Sequence, residues 1–500
     1  MNAATGDSAR ANGLQPLGWN GELLSAAFQK ASESKPWTLG YRSVDEDRIH
    51  CDALHLSAPL PADLRGTLFR NGPARHERHG QRYGNRWDGD GMLQQFRFTD
   101  RGVSHVGQFI HTEKYDVETA NGRFVLSAFG TRIPGSDAAP DPMDTANVAN
   151  INVVHFAGEL LALWEPGSAY RIDPESLQTL GLKVWSPSLA GSPFSAHPRL
   201  EIDGTLWNFG VNPLTGELTI YSIAPSGQLV RSHVVHVAQL PLIHDFAVTS
   251  RHLVFLLSPL IVSKERLETG ASFAESCQWL PQLGMKVLTI DKRDWSEKYY
   301  DLPSGCLFHV ANAWEDQQGT IRLHYLRAAS PMSMRAGWSV MRGEYRHQEG
   351  ARLTELVLDP TRGTAVQVTV GKLEAEFPAV EASEVGRAYT RILCLERTLR
   401  RPADIPGYDQ VVCMDVTSGQ RQHFTYGDDW LVEEHIFADV PGATRSRWIV
   451  GMALDLRARQ SVINIFDAQH LDEGPVVQAR LDRALPLGLH GTFRPSRVGG

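Results

Sequence analysis

Residues 160–181, LLALWEPGSAYRIDPESLQTLG, read as strand, turn, strand: the apolar run Leu160–Trp164 stops at Pro166-Gly167, and a second strand follows before Asp173-Pro174. The same reading fits GTLWNFGVNPLTGELTIYSI at 204–223 and MKVLTIDKRDW at 285–295. Outward from these, short β-prone runs recur between turn signals such as Asn121-Gly122 and Asp203-Gly204. Strands are expected at Thr67–Arg70, Leu93–Phe98, Asn152–Phe156, Leu206–Gly210, Leu218–Ser222, Leu253–Leu257, Lys286–Ile290, Ile321–Tyr325, Leu353–Leu358, Arg391–Cys394, Gln410–Met414, Trp448–Met452 and Ser461–Phe466. The chain is therefore read as all-β, with hairpins repeating loosely enough to suit propeller blades. Residues 1–45 are polar and Ala/Ser-rich, with one short helix expected around Glu22–Lys30, and 46–500 are read as a single β domain.

Four histidines stand far apart, each in a distinctive context: Ser195-Ala196-His197-Pro198, Ile243-His244-Asp245-Phe246, Phe308-His309-Val310-Ala311 and Gly488-Leu489-His490-Gly491. None forms a compact zinc motif. In a propeller the innermost strand of each blade runs along the axis, so residues from several blades can converge there. Neutral imidazole suits several transition metals, and the histidines alone do not choose among them.

The chain has 500 residues, a formal net charge of −8 and five cysteines, at 51, 277, 306, 394 and 413. The negative balance argues against nucleic-acid binding, which needs a Lys/Arg surplus. The odd, scattered cysteines contain no C-x-x-C pair and fit a reducing cytoplasm. The N-terminus lacks the basic and apolar regions of a secretory signal. The longest apolar stretch, Leu253–Val262, is broken by Ser258-Pro259 and is about half the ~20 residues a membrane helix needs. Two readings remain for it: a patch touching a membrane or lipid-like substrate, or a buried strand followed by a turn.

Several motifs together resemble the carotenoid cleavage oxygenases, the family of apocarotenoid oxygenases, carotenoid dioxygenases, lignostilbene dioxygenases and the visual-cycle retinoid isomerase. They are GTLFRNGPARHERHGQRYGNRWDGDGM at 66–92, the stretch 147–181, and the four histidine segments in family order. The resemblance implies a seven-bladed β-propeller with a loop and helix cap, and one Fe(II) per chain on its axis held by His197, His244, His309 and His490. It also implies carboxylates behind the histidines, matched by Glu165, Glu376 and Glu434, with Glu374 a rival for Glu376. Such a carboxylate fixes the imidazole tautomer and raises its basicity. Trp164, Phe308 and Ile151 are expected along an apolar substrate tunnel. Ile151 departs from the family, which usually carries a threonine where this chain reads Ala149-Asn150-Ile151-Asn152. The acidic turn Asp88-Gly89-Asp90-Gly91 lacks calcium-loop spacing and is read as structural.

The expected activity is O2-dependent cleavage of a conjugated C=C bond in a small hydrophobic carotenoid or apocarotenoid, giving two carbonyl products. One alternative is a stilbene dioxygenase, where the family's phenol-binding lysine would be replaced by Arg132 in Phe129-Gly130-Thr131-Arg132. Another is a noncatalytic polyene-binding or scaffold propeller. Contact with a membrane is expected to be peripheral.

Overall fold

A computed structural model describes residues 18–137, 140, 142–440 and 445–496. Residues 1–17 of the expected N-terminal extension lie outside these. The expected helix spans Gly21–Ser32, with the Asn20 side chain accepting from Leu23 N as its cap. Its Phe28 shares a buried cluster with Trp37, Tyr41, Tyr83 and Leu454, and the Arg82 guanidinium lies 3.4 Å from the Phe28 ring centroid.

The protein is mostly β with few helices. Successive parts of the chain form antiparallel sheets: strands within 152–182, then within 199–236, then within 247–302. A seven-stranded sheet runs from Cys306–Glu315 to Arg421–Thr425. Its 16-residue strand Thr364–Ala379 pairs with Arg352–Asp359 through its first part and with Arg391–Arg397 through its second. The strands at the two ends of the described chain interleave. Gly491–Pro495 pairs with Gly66–Arg75, from Gly66↔Pro495 to Arg70↔Gly491. His55–Leu56 adds to the edge strand Val477–Arg480 of the sheet formed by residues 430–480.

Side chains alternate between faces along a strand, and here both faces are covered. Leu253, Phe255 and Leu257 enter a cluster with Phe209 and Ile220 of the preceding sheet, while Val254 and Leu256 join Val310 and Leu323 of the following one. That explains the continuous apolar run. Leu253–Leu257 is a buried strand, followed by a turn and the short strand Leu260–Val262, so this stretch is not an exposed membrane patch. Fully burying each large apolar side chain contributes roughly 1.5–3 kcal/mol.

The same arrangement recurs at every junction. Phe69 and Leu93 pack with Val153 and Leu160. Leu161 and Leu163 pack with Leu206 and Tyr221. Leu326 and Leu353 pack with Ile392 and Val412, across the two parts of the long sheet. Leu395 and Val411 pack with Ile449 and Phe466, and Phe96 and Leu68 pack with Val450 and Ile463.

Candidate metal centre

His197 lies just before the short strand Arg199–Leu200, and Asn152 Nδ2 and Asn208 Nδ2 hold the carbonyls of Ala196 and Ser195 at 2.7 and 2.8 Å. His244 sits on the approach to strand Ala247–Val248. Its neighbour Asp245 accepts from Arg199 Nη2 at 2.7 Å and from Val310 N at 2.8 Å. One buried carboxylate thus fastens the segments carrying His197, His244 and His309 to one another. His490 is tied through its backbone, its N–H donating to Ile151 O at 3.3 Å and its carbonyl accepting from Asn71 N at 2.9 Å.

The four side chains converge: their ligating nitrogens all lie within 4.8 Å of one another. Nε2 of His244 is 3.0 Å from that of His197 and 3.3 Å from that of His309, which is 3.2 Å from that of His490. Behind them stand the three expected glutamates. Glu165 pairs with His244 Nδ1, Glu376 with His309 Nδ1 at 2.5 Å and Glu434 with His490 Nδ1 at 2.7 Å. The rival Glu374 is turned away and meets His347 at 3.2 Å.

This geometry tests whether a metal fits. A carboxylate accepting the Nδ1 proton leaves Nε2 of a neutral ring as a bare lone pair. Three such lone pairs aimed at one point repel unless a cation lies between them, so the donor set suits a divalent transition ion. The electrostatics agree at His197, His244 and His490. Burial drives His197 and His244 well below the usual histidine range, with the neighbouring rings adding to the effect. Burial also lowers His490, against the pull of Glu434. At His309 burial opposes the charge most strongly, but Glu376 together with Asp245 and Glu434 outweighs it and the ring is raised. Burial works against the charged form of Glu434, and His490 and Arg70 together overcome it, leaving the carboxyl below its ordinary value.

Sequence reasoning passed over two residues of this site. Arg70, 1 % exposed, donates to Glu434 at 2.5 Å and to Leu489 O at 3.1 Å, joining the carboxylate to the segment that carries His490. Asp245 was in plain view beside His244, but its partners are distant in sequence.

A cavity of about 610 Å³ reaches the centre and is walled by Trp164, Phe308 and Ile151, the expected tunnel residues, and by Phe129, Phe273 and Phe377. Phe308 stands edge-on to His244, with centroids 5.4 Å apart. Arg132 is not on the cavity wall, and it offers no phenol-binding group there. The Asp88–Gly91 turn is structural: Asp88 accepts from Gly130 N at 2.7 Å and Thr131 Oγ1 at 2.5 Å, and Asp90 accepts from Arg78 at 2.8 Å.

Comparison with known proteins places this arrangement. The family model described as retinal pigment epithelial membrane protein matches residues 45–495. Apocarotenoid-15,15'-oxygenase of Synechocystis sp. is 26% identical over 484 residues, covering 94% of this chain and 98% of that protein. Lignostilbene-alpha,beta-dioxygenase isozyme III of Sphingomonas paucimobilis is 25% identical, covering 89% and 94%. A glutamate-to-aspartate variant of the Synechocystis apocarotenoid oxygenase superposes with a TM-score of 0.85 at 24% identity, over 92% of this chain and 99% of that one.

Proposed function

Because the chain belongs to the retinal pigment epithelial membrane protein family, matched over residues 45–495, we propose that it is a carotenoid cleavage dioxygenase that cuts a conjugated C=C bond of a carotenoid or apocarotenoid with O2. The bond breaks, and each of its carbons takes one oxygen atom to become an aldehyde or ketone. The observation that carries the reading is four converging histidine nitrogens, with His244, His309 and His490 on the wall of a largely apolar cavity.

The ligand set of the proposal is His197, His244, His309 and His490, holding one Fe(II) per chain. Ferrous iron supplies the electron donation that lets O2 react with a closed-shell alkene. The protein does the rest by positioning. Glu165, Glu376 and Glu434 hold the Nδ1 protons and so keep the Nε2 lone pairs inward. Trp164, Phe308 and Ile151 exclude water and fix which double bond reaches the centre. No protein nucleophile is required.

The fold of the proposal is a seven-bladed propeller formed by residues 46–500, the helix-bearing segment before it packing alongside. Its support is the cyclic order of the seven buried clusters between sheets, counting the long sheet as two blades, with the last sheet packed on the first. The enzyme of this reading is cytoplasmic and meets its lipid-dissolved substrate at most peripherally. Among the described residues no helix is long and apolar enough to cross a membrane, and all five cysteines are unpaired.

Anaerobic loading with Fe(II), followed by O2 and a panel of apocarotenals and hydroxystilbenes with mass analysis of products, tests the activity. Cleavage of apocarotenals is expected. Turnover of stilbenes alone would move the assignment to a stilbene dioxygenase, and no O2 uptake with any compound would leave a noncatalytic polyene-binding propeller.

A further inference from the structure

The strand Thr364–Ala379 changes neighbours along its length. Its first six residues, Thr364-Ala365-Val366-Gln367-Val368-Thr369, pair in unbroken register with Asp359 back to Thr354, and only from Glu374 onward does the strand pair on its other edge, with Arg397. Along 364–369 that other edge is open: its backbone N–H and C=O groups make no hydrogen bond to a described residue. Side chains alternate between faces, and on one face Ala365 packs against the core while Gln367 accepts from the Tyr325 hydroxyl at 2.5 Å. On the other face Val366 and Val368 are 58 % and 57 % exposed.

An open edge is a template for another strand, and proteins ordinarily blunt it with charge, proline or brevity. At the sheet ends away from the metal centre the described strands are blunted in this way. Leu229–His236 carries Arg231, Glu297–Leu302 carries Glu297, Lys298 and Asp301, and Arg421–Thr425 opens on Arg421. Thr179–Leu182 and Arg48–Cys51 are four residues each, and His55–Leu56 is two. Residues 364–369 hold no charge, no proline and no glycine, and four of the six are β-branched. What covers such an edge is a strand that matches it, and this stretch matches itself. Two copies laid antiparallel about Gln367 bring Val366 of each opposite Val368 of the other, and Ala365 opposite Thr369, with no charge set against a charge.

We propose that residues 364–369 are a docking edge for a second copy of this chain, the two copies joining by antiparallel strand pairing about a two-fold axis, so that one sheet continues across the interface. The pairing closes on itself, because each copy uses up this edge and offers none to a third. Six residues make a small interface, so the dissociation constant belongs in the micromolar range. The edge lies on the half of the strand away from Glu376, and neither metal binding nor cleavage enters the inference.

Sedimentation of the full chain across about 1–100 µM is expected to show a shift from the 55.4 kDa monomer to twice that mass. The double variant Val366→Lys, Val368→Lys sets lysine against lysine in both valine pairs and should raise the dissociation constant about tenfold or more. Val366→Glu, Val368→Glu should do the same alone, and the two variants mixed one to one should dimerise again, which misfolded chains would not do. Val234→Lys, at an exposed position of another outer strand, should leave the dimer unchanged. A parent protein that stays monomeric overturns the proposal, as does a lysine variant that dimerises as the parent does. If the variants fail to fold, amide hydrogen exchange of the parent decides: protection across 364–369 should rise with protein concentration, and a dimer that leaves these amides unprotected overturns the proposal.

Discussion

Glu376 sits 2.5 Å from His309 Nδ1, so its charge stabilises the N–H that keeps Nε2 free. Glu376→Gln should lower metal affinity about 10–100-fold while leaving the fold intact, read by titrating the apoprotein with Fe(II) or a spectroscopic surrogate. His309→Ala removes a converging nitrogen outright, and the purified variant should contain no stoichiometric metal by elemental analysis. Asp245→Asn acts differently. It removes a charge shared by Arg199 Nη2 and Val310 N, so two histidine-bearing segments loosen together, and a single change off the cavity wall should cost metal affinity and stability at once. At this scale the histidines were legible because their neighbours form motifs. Asp245 and Arg70 were not, because what they do is defined by partners from other sheets, and nothing local distinguishes them from ordinary turn and strand residues.

The strands that bear the site share an irregularity. The pairing register shifts between Leu307 and Val310, spanning His309; between Glu376 and Ala379; and between Val432 and His435, spanning Glu434. A bulge turns a side chain off its alternating face, which is how a polar group in a buried sheet is aimed at a centre instead of a neighbouring sheet. It explains part of the limit of the sequence reading. Every expected strand is present, for example Asn152–Phe156 with those bounds. Cys306–Glu315, Thr364–Ala379 and Trp430–Ala438, which break alternation to hold the site, escaped it, but so did evenly paired strands such as Gly102–Phe109 and Glu297–Leu302, whose polar and charged residues hide them. Gly491, beginning the strand after His490, has no room for a side chain: a Cβ there would lie 2.3 Å from Phe69 O and 2.7 Å from Arg70 Cδ. Gly491→Ala should therefore cost about 1–3 kcal/mol in denaturant unfolding and weaken metal binding with it.

The molecule as a whole keeps neutral histidines in its core away from the metal centre. Burial lowers His105 to about 3 and His324 to about 4. In the unfolded chain both rings protonate near their ordinary value, so between pH 6.5 and 4 the unfolded state takes up protons that the folded state refuses. Stability should fall as pH falls through that window, by about 1.4 kcal/mol per pH unit for each ring once its unfolded form is fully charged. Urea unfolding at several pH values should show this slope, reduced by one proton's worth in His324→Gln. The interleaving of early and late strands has a consequence for synthesis. His490 and Gly491–Pro495 follow the other three histidines in the order of translation, and the partner strand Gly66–Arg75 must wait for them with its edge unpaired. A growing chain can dock its intermediate sheets as they emerge, but it has no complete nitrogen set until that strand clears the ribosome, so a metal ion meets all four nitrogens only in a chain whose other sheets are already formed.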